Sequence, residues 1–336
     1  MSIMAVDVSH ARAQVDPAGL EEHRRELTGY CYRMLGSAFE AEDAVQEVMF
    51  RALRAAESFA GRASVRSWLY RIATNVCLDM LRGRKRRAWP TALGVPSPPD
   101  GDLLGPPLPE YTWVSPVADA AVLPEEGDPA EIAVARETIR LAFVTALQHL
   151  TGRQRAVLLL NQVLRFDATE IAAQLDTTVA AVYGVLQRAR ATLGALPARQ
   201  RPTEVGPENA ELLASYVTAF ERYDIAALVS LLHADAIQSM PPFSMWLRGA
   251  ADIGTWMAGP GAGCRSSRLI PAAANGSPAF GQYRTDPVGG HAPWALQVLQ
   301  ITDGQITELH YFLDTARLFP LFGLPAHLPE LDAPTR

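Results

Sequence analysis

The sequence predicts a multidomain chain in which two all-α helical domains, joined by a Pro-rich linker, precede an α+β domain. Three observations lead there. At 336 residues the chain is longer than one ordinary core, so two or three domains are expected. Apolar residues recur at spacings of three and four over residues 20–88 and again over 130–196, the signature of helices that bury one face. Between these regions, residues 89–129 hold ten of the twenty-five prolines, and near the C-terminus the pattern turns strand-like. The implied boundaries are 18–88, 89–129 for the linker, 130–197 and 208–327.

Composition narrows the class. A hydrophobic content of 49% with 20% charged residues describes a soluble globular protein. Apolar runs such as AVLLL at 156–160 fall short of the roughly 18 residues a membrane helix needs, so no membrane contact is expected. The opening MSIMAVDVSHARAQVDP has neither a basic head nor a sustained apolar run, so a cytoplasmic location is expected. Cys31, Cys77 and Cys264 are far apart and lack metal-binding spacing. They read as reduced structural thiols, and neither a cofactor nor a metal is expected.

In the first helical region Ala41, Ala44, Val45, Val48, Met49 and Ala52 form one apolar stripe, with Glu42, Asp43, Gln46 and Glu47 opposite. The next helix turns Trp68, Leu69, Ile72, Ala73, Val76 and Met80 inward and Arg66, Arg71, Asn75 and Arg82 outward. The formal net charge is −6, yet residues 66–87 carry seven of the thirty basic residues against one acid, Asp79. With Trp68 and Tyr70 among them, this stretch suits a polyanion whose bases can be reached.

The 41-residue linker is expected to be extended and partly polyproline-like, reaching about 130 Å if fully stretched. Trp113, Val114 and Pro116 are too apolar for a free tether and form an expected docking patch.

Residues 168–192 fit a helix-turn-helix. Ala172 supplies the small residue where two helices cross, and Ile171, Leu175, Val179, Val182 and Val185 fall at core offsets. Asp176 takes the turn, where aspartate tolerates a left-handed backbone better than most residues. Thr177, Thr178, Ala181, Tyr183, Gln187, Arg188 and Arg190 then point outward, as a recognition helix needs in a major groove. An amphipathic hairpin with a solvated face is the alternative, and Gly184 costs such a helix about 1 kcal/mol relative to alanine.

Two longer stretches carry a resemblance. MLGSAFEAEDAVQEVMFRAL with FAGRASVRSWLYRIATNVCLDMLRGRKRR resembles the first conserved region of bacterial extracytoplasmic-function (ECF) sigma factors. LTGRQRAVLLLNQVLRFDATEIAAQLDTTVAAVYGVLQRARATL resembles their second. The resemblance implies that Glu42, Asp43, Gln46, Glu47 and Arg51 bind the RNA polymerase core. It implies that a melted −10 element of promoter DNA is read by Arg62, Ser64, Arg66, Tyr70, Arg71 and Asn75, within Ala60–Ser64 and the helix after it. Arg82, Arg84, Lys85, Arg86 and Arg87 would clamp phosphates, and the helix-turn-helix would read a −35 duplex.

In the third region, helices over 208–222 and about 224–233 give way to WALQVLQIT and GQITELHYFLD, joined by the hairpin signal Asp303-Gly304. YVTAFERYDIAALVSLLHADAIQSMPP, WLRGAADI and ITELHYFLD resemble the cone-shaped SnoaL-like domain that some ECF sigma factors carry. Pocket candidates are Asp224, His233, Asp235, His310 and Asp314, with Trp246, Trp256, Trp294 and Tyr311 as lining. Ordinary roles compete with these: HADA as a helix end capped by Asp235, Asp314 as a cap, and His310 as a structural histidine. No catalytic residue is expected. The resemblance implies regulation through an intramolecular contact of the C-terminal domain with the sigma regions, with a small-molecule ligand as a further partner. An enzyme or ligand sensor fused to a DNA-targeting module, and a plain DNA-binding regulator, are the alternatives.

Overall fold

A computed structural model describes residues 17–59, 61, 63–196 and 209–330. Arg62 and Ala60, from the expected −10 loop, lie outside them, as does the break at 197–207. In chain order the helices are α1 Pro17–Glu21, α2 Arg24–Leu35, α3 Ala38–Ala55, α4 Val65–Leu81, α5 Asp119–Val122, α6 Pro129–Ile139 and α7 Leu141–Leu147. They continue with α8 Gly152–Leu158, α9 Ala168–Gln174, α10 Val179–Gly194, α11 Ala210–Glu221, α12 Ile225–Ser230, α13 Ala250–Ala258 and α14 Thr315–Leu321. The strands are β1 Leu232–Ser239, β2 Trp246–Arg248, β3 Arg268–Ala274, β4 Ser277–Thr285, β5 His291–Thr302 and β6 Gln305–Phe312. Among the described residues, no helix is long and apolar enough to cross a membrane.

The chain divides into two compact units that cut across the boundaries expected from sequence. Of the described residues, the first holds 17–35, 39–59, 61, 63–84 and 151–191; the second holds 36–38, 85–150, 192–196 and 209–330.

In the first unit the α3 stripe is buried from Ala41 to Ala52, so α3 packs by the periodicity the sequence shows. Tyr30 and Thr74 share a buried hydrogen bond of 2.7 Å between α2 and α4. The helix-turn-helix packs onto this layer. A Cβ placed on Gly152 at the start of α8 would lie 3.0 Å from Leu78 and 3.2 Å from Leu81, so the end of α4 sits directly against it. Buried Arg155 donates to the Met34 carbonyl at the end of α2, and desolvation pushes its guanidinium down to about 10. Both α8 and α9 begin with reciprocal caps, Thr151 with Gln154 and Asp167 with Glu170, which fix where each helix starts. Asp176 adopts φ of 48° in the turn between α9 and α10. Val179, expected in the core of the motif, is instead 37% exposed at the first position of α10, while Val182, Val185 and Leu186 close the interface.

The second unit is built on a six-stranded sheet of order β2-β1-β6-β5-β4-β3, in which β1 and β6 run parallel and the other pairs antiparallel. Helices α11 to α13 contribute Phe220, Leu228 and Trp256 to a core shared with Leu299, Leu309 and Tyr311 of the sheet. Asp303 and Gly304 turn β5 into β6 with φ of 51° and 73°, the left-handed pair a two-residue hairpin needs. HADA is not a helix end: α12 stops at Ser230, and these residues lie in β1, with Asp235 exposed 3.5 Å from Arg248. The sequence hid this strand because its second half, buried on both faces, does not alternate.

The Pro-rich segment is folded rather than extended. It forms short 3₁₀ turns at Pro90–Ala92, Gly101–Leu103 and Glu110–Thr112, then α5. Its residues strap the sheet domain. Trp89 is buried against His310 and Phe312, with ring centroids 4.7 and 6.1 Å apart, on the face opposite Leu309 and Tyr311. The Ser97 amide donates to the Trp246 carbonyl at the sheet edge (2.8 Å), and Leu108 N to Pro242 O (2.9 Å). Trp113 then returns to pair with Ala88, and Val117 reaches the β3–β4 turn. There the Asn275 side chain accepts from Val117 N (3.0 Å) and donates to Ile139 O (2.6 Å). Gly276 follows because Arg136 Cγ would lie 2.5 Å from any Cβ. Proline content predicted an extended tether, whereas the apolar residues between the prolines supply the burial that holds the strap down.

Candidate nucleic-acid interface and C-terminal cavity

On α3, Glu42, Asp43, Gln46 and Arg51 are exposed and Glu47 half-exposed, with Glu47 and Arg51 paired at 2.6 Å. Phe50 and Leu53 continue this face at 53% and 49% exposure. Sequence reasoning passed them over. The signal was present, since both are large apolar residues out of phase with the buried stripe, which marks a surface built for a protein partner.

The side chains assigned to the −10 element divide. Ser64 caps α4 by accepting from Ser67 N at 3.1 Å, and Arg71 and Asn75 are exposed. Ser64 and Arg71 line a cleft of about 610 Å³ whose other wall is Thr169, Glu170, Ala173 and Gln174 of α9. Tyr70 departs from expectation: it is fully buried, its hydroxyl donates to Glu26 (3.1 Å), and its ring meets Phe166 edge-on at 5.5 Å. Burial, then the Glu26 carboxylate, pushes its phenol well above the ordinary range. Arg66 is half-buried, donates to Glu26 (2.9 Å) and lies over the Tyr70 and Phe166 rings at 5.1 and 5.2 Å. Tyr70 is closed to a base in this arrangement, and the Arg66 guanidinium is already engaged although its side chain stays partly exposed.

The basic run also divides. Arg82 pairs with Asp79 at 3.1 Å, Arg84 with Glu40, and Lys85 is exposed. Arg86 donates to His149 Nδ1 at 2.9 Å; burial and that neighbouring guanidinium hold the imidazole below its usual range. Arg87 cannot reach a phosphate from where it lies: it is buried and bonds the Trp113 carbonyl (2.6 Å) and Glu110. It fastens the strap, because its guanidinium donates to the Trp113 carbonyl and to both the carbonyl and the carboxylate of Glu110.

On α10, Ala181, Tyr183, Gln187, Arg188 and Arg190 are exposed on one face. Thr178 is exposed and caps the helix toward Ala181 N (3.2 Å), while Thr177 is half-buried.

In the sheet domain, a cavity of about 380 Å³ is walled by Phe220, Met240, Phe243, Trp256, Trp294 and Tyr311 among others, with Gln238, Cys264 and Arg284 as its polar groups. Of the pocket residues expected from sequence, only Trp256, Trp294 and Tyr311 reach it. Asp224 caps α12, His233 Nδ1 accepts from Asp235 N (3.1 Å), and Trp246 donates to the Gly94 carbonyl (3.1 Å). Asp314 precedes α14 and lies 3.6 Å from Arg317. His310 is fully buried on the other face, bonded to Ser239 and Glu308 at 2.8 Å each. No carboxylate or imidazole is among the residues lining the cavity. Among the described residues, no cluster of His, Cys, Asp or Glu is suited to a metal ion. Trp113, Val114 and Pro116 are all buried within the strap.

Comparisons with known proteins bear on all three regions. Models of sigma-70 region 2, sigma-70 region 4 and the SnoaL-like domain match residues 20–87, 140–193 and 213–309. The chain is 46% identical over 318 residues to the ECF RNA polymerase sigma factor SigG of Mycobacterium tuberculosis, covering 93% of this chain and 84% of that one. It is 30% identical over 216 residues to SigJ of the same species, covering 64% and 61%. The crystal structure of Mycobacterium tuberculosis SigJ shares the fold, with a TM-score of 0.58 at 22% identity, covering 92% of this chain and all of that one (100%). Identity at the level of SigG, over most of both chains and with the three regions in one order, places this chain in the family of ECF RNA polymerase sigma factors, which direct promoter-specific initiation of transcription.

Proposed function

We propose that the exposed face of α10 reads a −35 duplex and that α4, with Ser64, Arg66, Tyr70, Arg71 and Asn75, reads a melted −10 strand. The acidic face of α3, with Phe50 and Leu53, holds the polymerase core, and the protein works in the cytoplasm. In this reading Arg82, Arg84, Lys85 and Arg86 bind phosphates once initiation begins. The strap of residues 85–150 acts as the brake.

One observation carries the reading: Arg66 and Tyr70 pack against Phe166, which leads directly into the helix-turn-helix. The two promoter elements lie roughly 35–70 Å apart on duplex DNA, about one to two turns. To reach both, α4 must part from α8 and α9. The covalent link between them is the strap, which spans such a distance only when it leaves the sheet domain. The sheet domain therefore favours the closed form through Asn275, Trp246 and His310, and Trp113, Val114 and Pro116 are part of the docked surface. The cavity, lined without carboxylate or imidazole, supports binding of a small molecule rather than its turnover.

Run-off transcription with reconstituted core polymerase tests this. The full chain is expected to start RNA at defined sites with low output, and a chain ending after residue 205 to change that output. Start sites that do not depend on the added chain would remove the reading.

A further inference from the structure

The cavity and the strap are one structure. Gly101 and Leu104 belong to the strap, yet they line the cavity together with residues of β1, β4, β5, β6 and α13. A Cβ on Gly101 would lie 3.2 Å from Pro260, so the strap closes tightly on the wall opposite. When the strap leaves, the cavity loses that wall.

The polar groups inside are incomplete. Gln238 is 3% exposed, and its Oε1 is buried with no hydrogen-bond partner among the described residues. Arg284 lies flat on Trp294, 3.3 Å from the ring centroid, and donates to Cys264 Sγ at 3.0 Å. Among the described residues its Nε is buried with no partner, and no acidic side chain lines the cavity to balance its charge. A buried donor and a buried acceptor left open cost free energy, which these two side chains recover by turning toward a ligand held in the cavity. Walls of Phe220, Phe243, Trp256 and Trp294 around a guanidinium fit a flat apolar body bearing an anion.

We propose that this cavity binds a small aromatic or alicyclic organic acid, its carboxylate on Arg284 and a donor group on Gln238, and that occupancy locks the strap in its docked position. The coupling follows from the shared wall: a ligand that touches Gly101 and Leu104 binds the docked state better and shifts the population toward it. The proposal rests on the strap acting as a brake, and it names what sets the brake.

The test uses the full chain, with 2-naphthoate and its neutral amide 2-naphthamide as probes. By calorimetry, 2-naphthoate is expected to bind one-to-one and about tenfold or more tighter than the amide. Arg284→Gln is expected to abolish that preference and Arg284→Lys to keep most of it, which separates charge recognition from a folding defect. In hydrogen exchange, bound 2-naphthoate is expected to slow the amides of Leu104 and Leu108 in the strap. Equal affinity for the two probes, or a preference that survives Arg284→Gln, overturns the ligand class. Tight binding with unchanged exchange at Leu104 and Leu108 overturns the coupling. None of these readouts involves transcription, so their failure is distinct from failure of the sigma-factor reading, which run-off assays test alone.

Discussion

The two helices assigned to DNA are presented in opposite ways. On α10, Tyr183, Gln187, Arg188 and Arg190 stand in solvent. On α4, Arg66 and Tyr70 are folded under Phe166 and tied to Glu26. Duplex recognition asks for no rearrangement, whereas single-strand recognition asks the first unit to open. The difference suits the order of events at a promoter, where duplex DNA is met before any strand is melted, and in the proposed reading regulation acts at the packing of α4 on the helix-turn-helix.

The largest expected effect breaks that packing. Phe166→Ala removes a buried ring and is expected to lower the stability of the first unit by about 3–5 kcal/mol in urea unfolding. The same change is expected to raise output in run-off assays and to expose Trp68, half-buried beside the cleft, to iodide quenching. A smaller effect comes from the strap. Asn275→Ala removes two buried hydrogen bonds to Val117 and Ile139 and is expected to cost docking about 2 kcal/mol, read as faster exchange at the Val117 amide. Arg188→Ala addresses the other helix and is expected to weaken binding of −35 duplex about tenfold by fluorescence anisotropy, with no change in unfolding midpoint.

The smallest effect is electrostatic. His149, held below its usual range by burial and by Arg86, binds fewer protons folded than unfolded near its ordinary value. Its contribution to stability is therefore complete above the ordinary histidine range and is lost as pH falls through the depressed folded value. An NMR titration is expected to place its midpoint below that of a free histidine, and Arg86→Gln is expected to raise it.

Local patterns carried the helical regions. The α3 stripe from Ala41 to Ala52, the turn at Asp176 and the hairpin at Asp303-Gly304 each depend on residues within a few positions of one another, so spacing alone reveals them. The strap and the cavity depend on distant partners. Nothing near Trp89 in sequence points to His310, and nothing near Arg87 shows that its side chain is spent on Trp113. Tyr70 was legible as an aromatic on a basic helix, but the residue that covers it, Phe166, lies in another conserved region. The cavity drew Asp224, His233 and Asp314 as candidates because titratable groups stand out in a sequence. Gln238 and Arg284 went unnoticed because the strands that aim them, β1 and β4, are punctuated by proline and glycine or lack alternation.

The central claim is that a docked strap restrains a sigma factor in which part of the −10 surface, Tyr70 and Arg66, is packed against Phe166. The measurement that meets it most directly is run-off transcription from one promoter by core polymerase reconstituted with the full chain or with Asn275→Ala. The account predicts transcripts that depend on the added chain, begin at the same nucleotide in both cases, and are severalfold more abundant with the variant. Equal or lower output from Asn275→Ala, despite faster exchange at Val117, would contradict it.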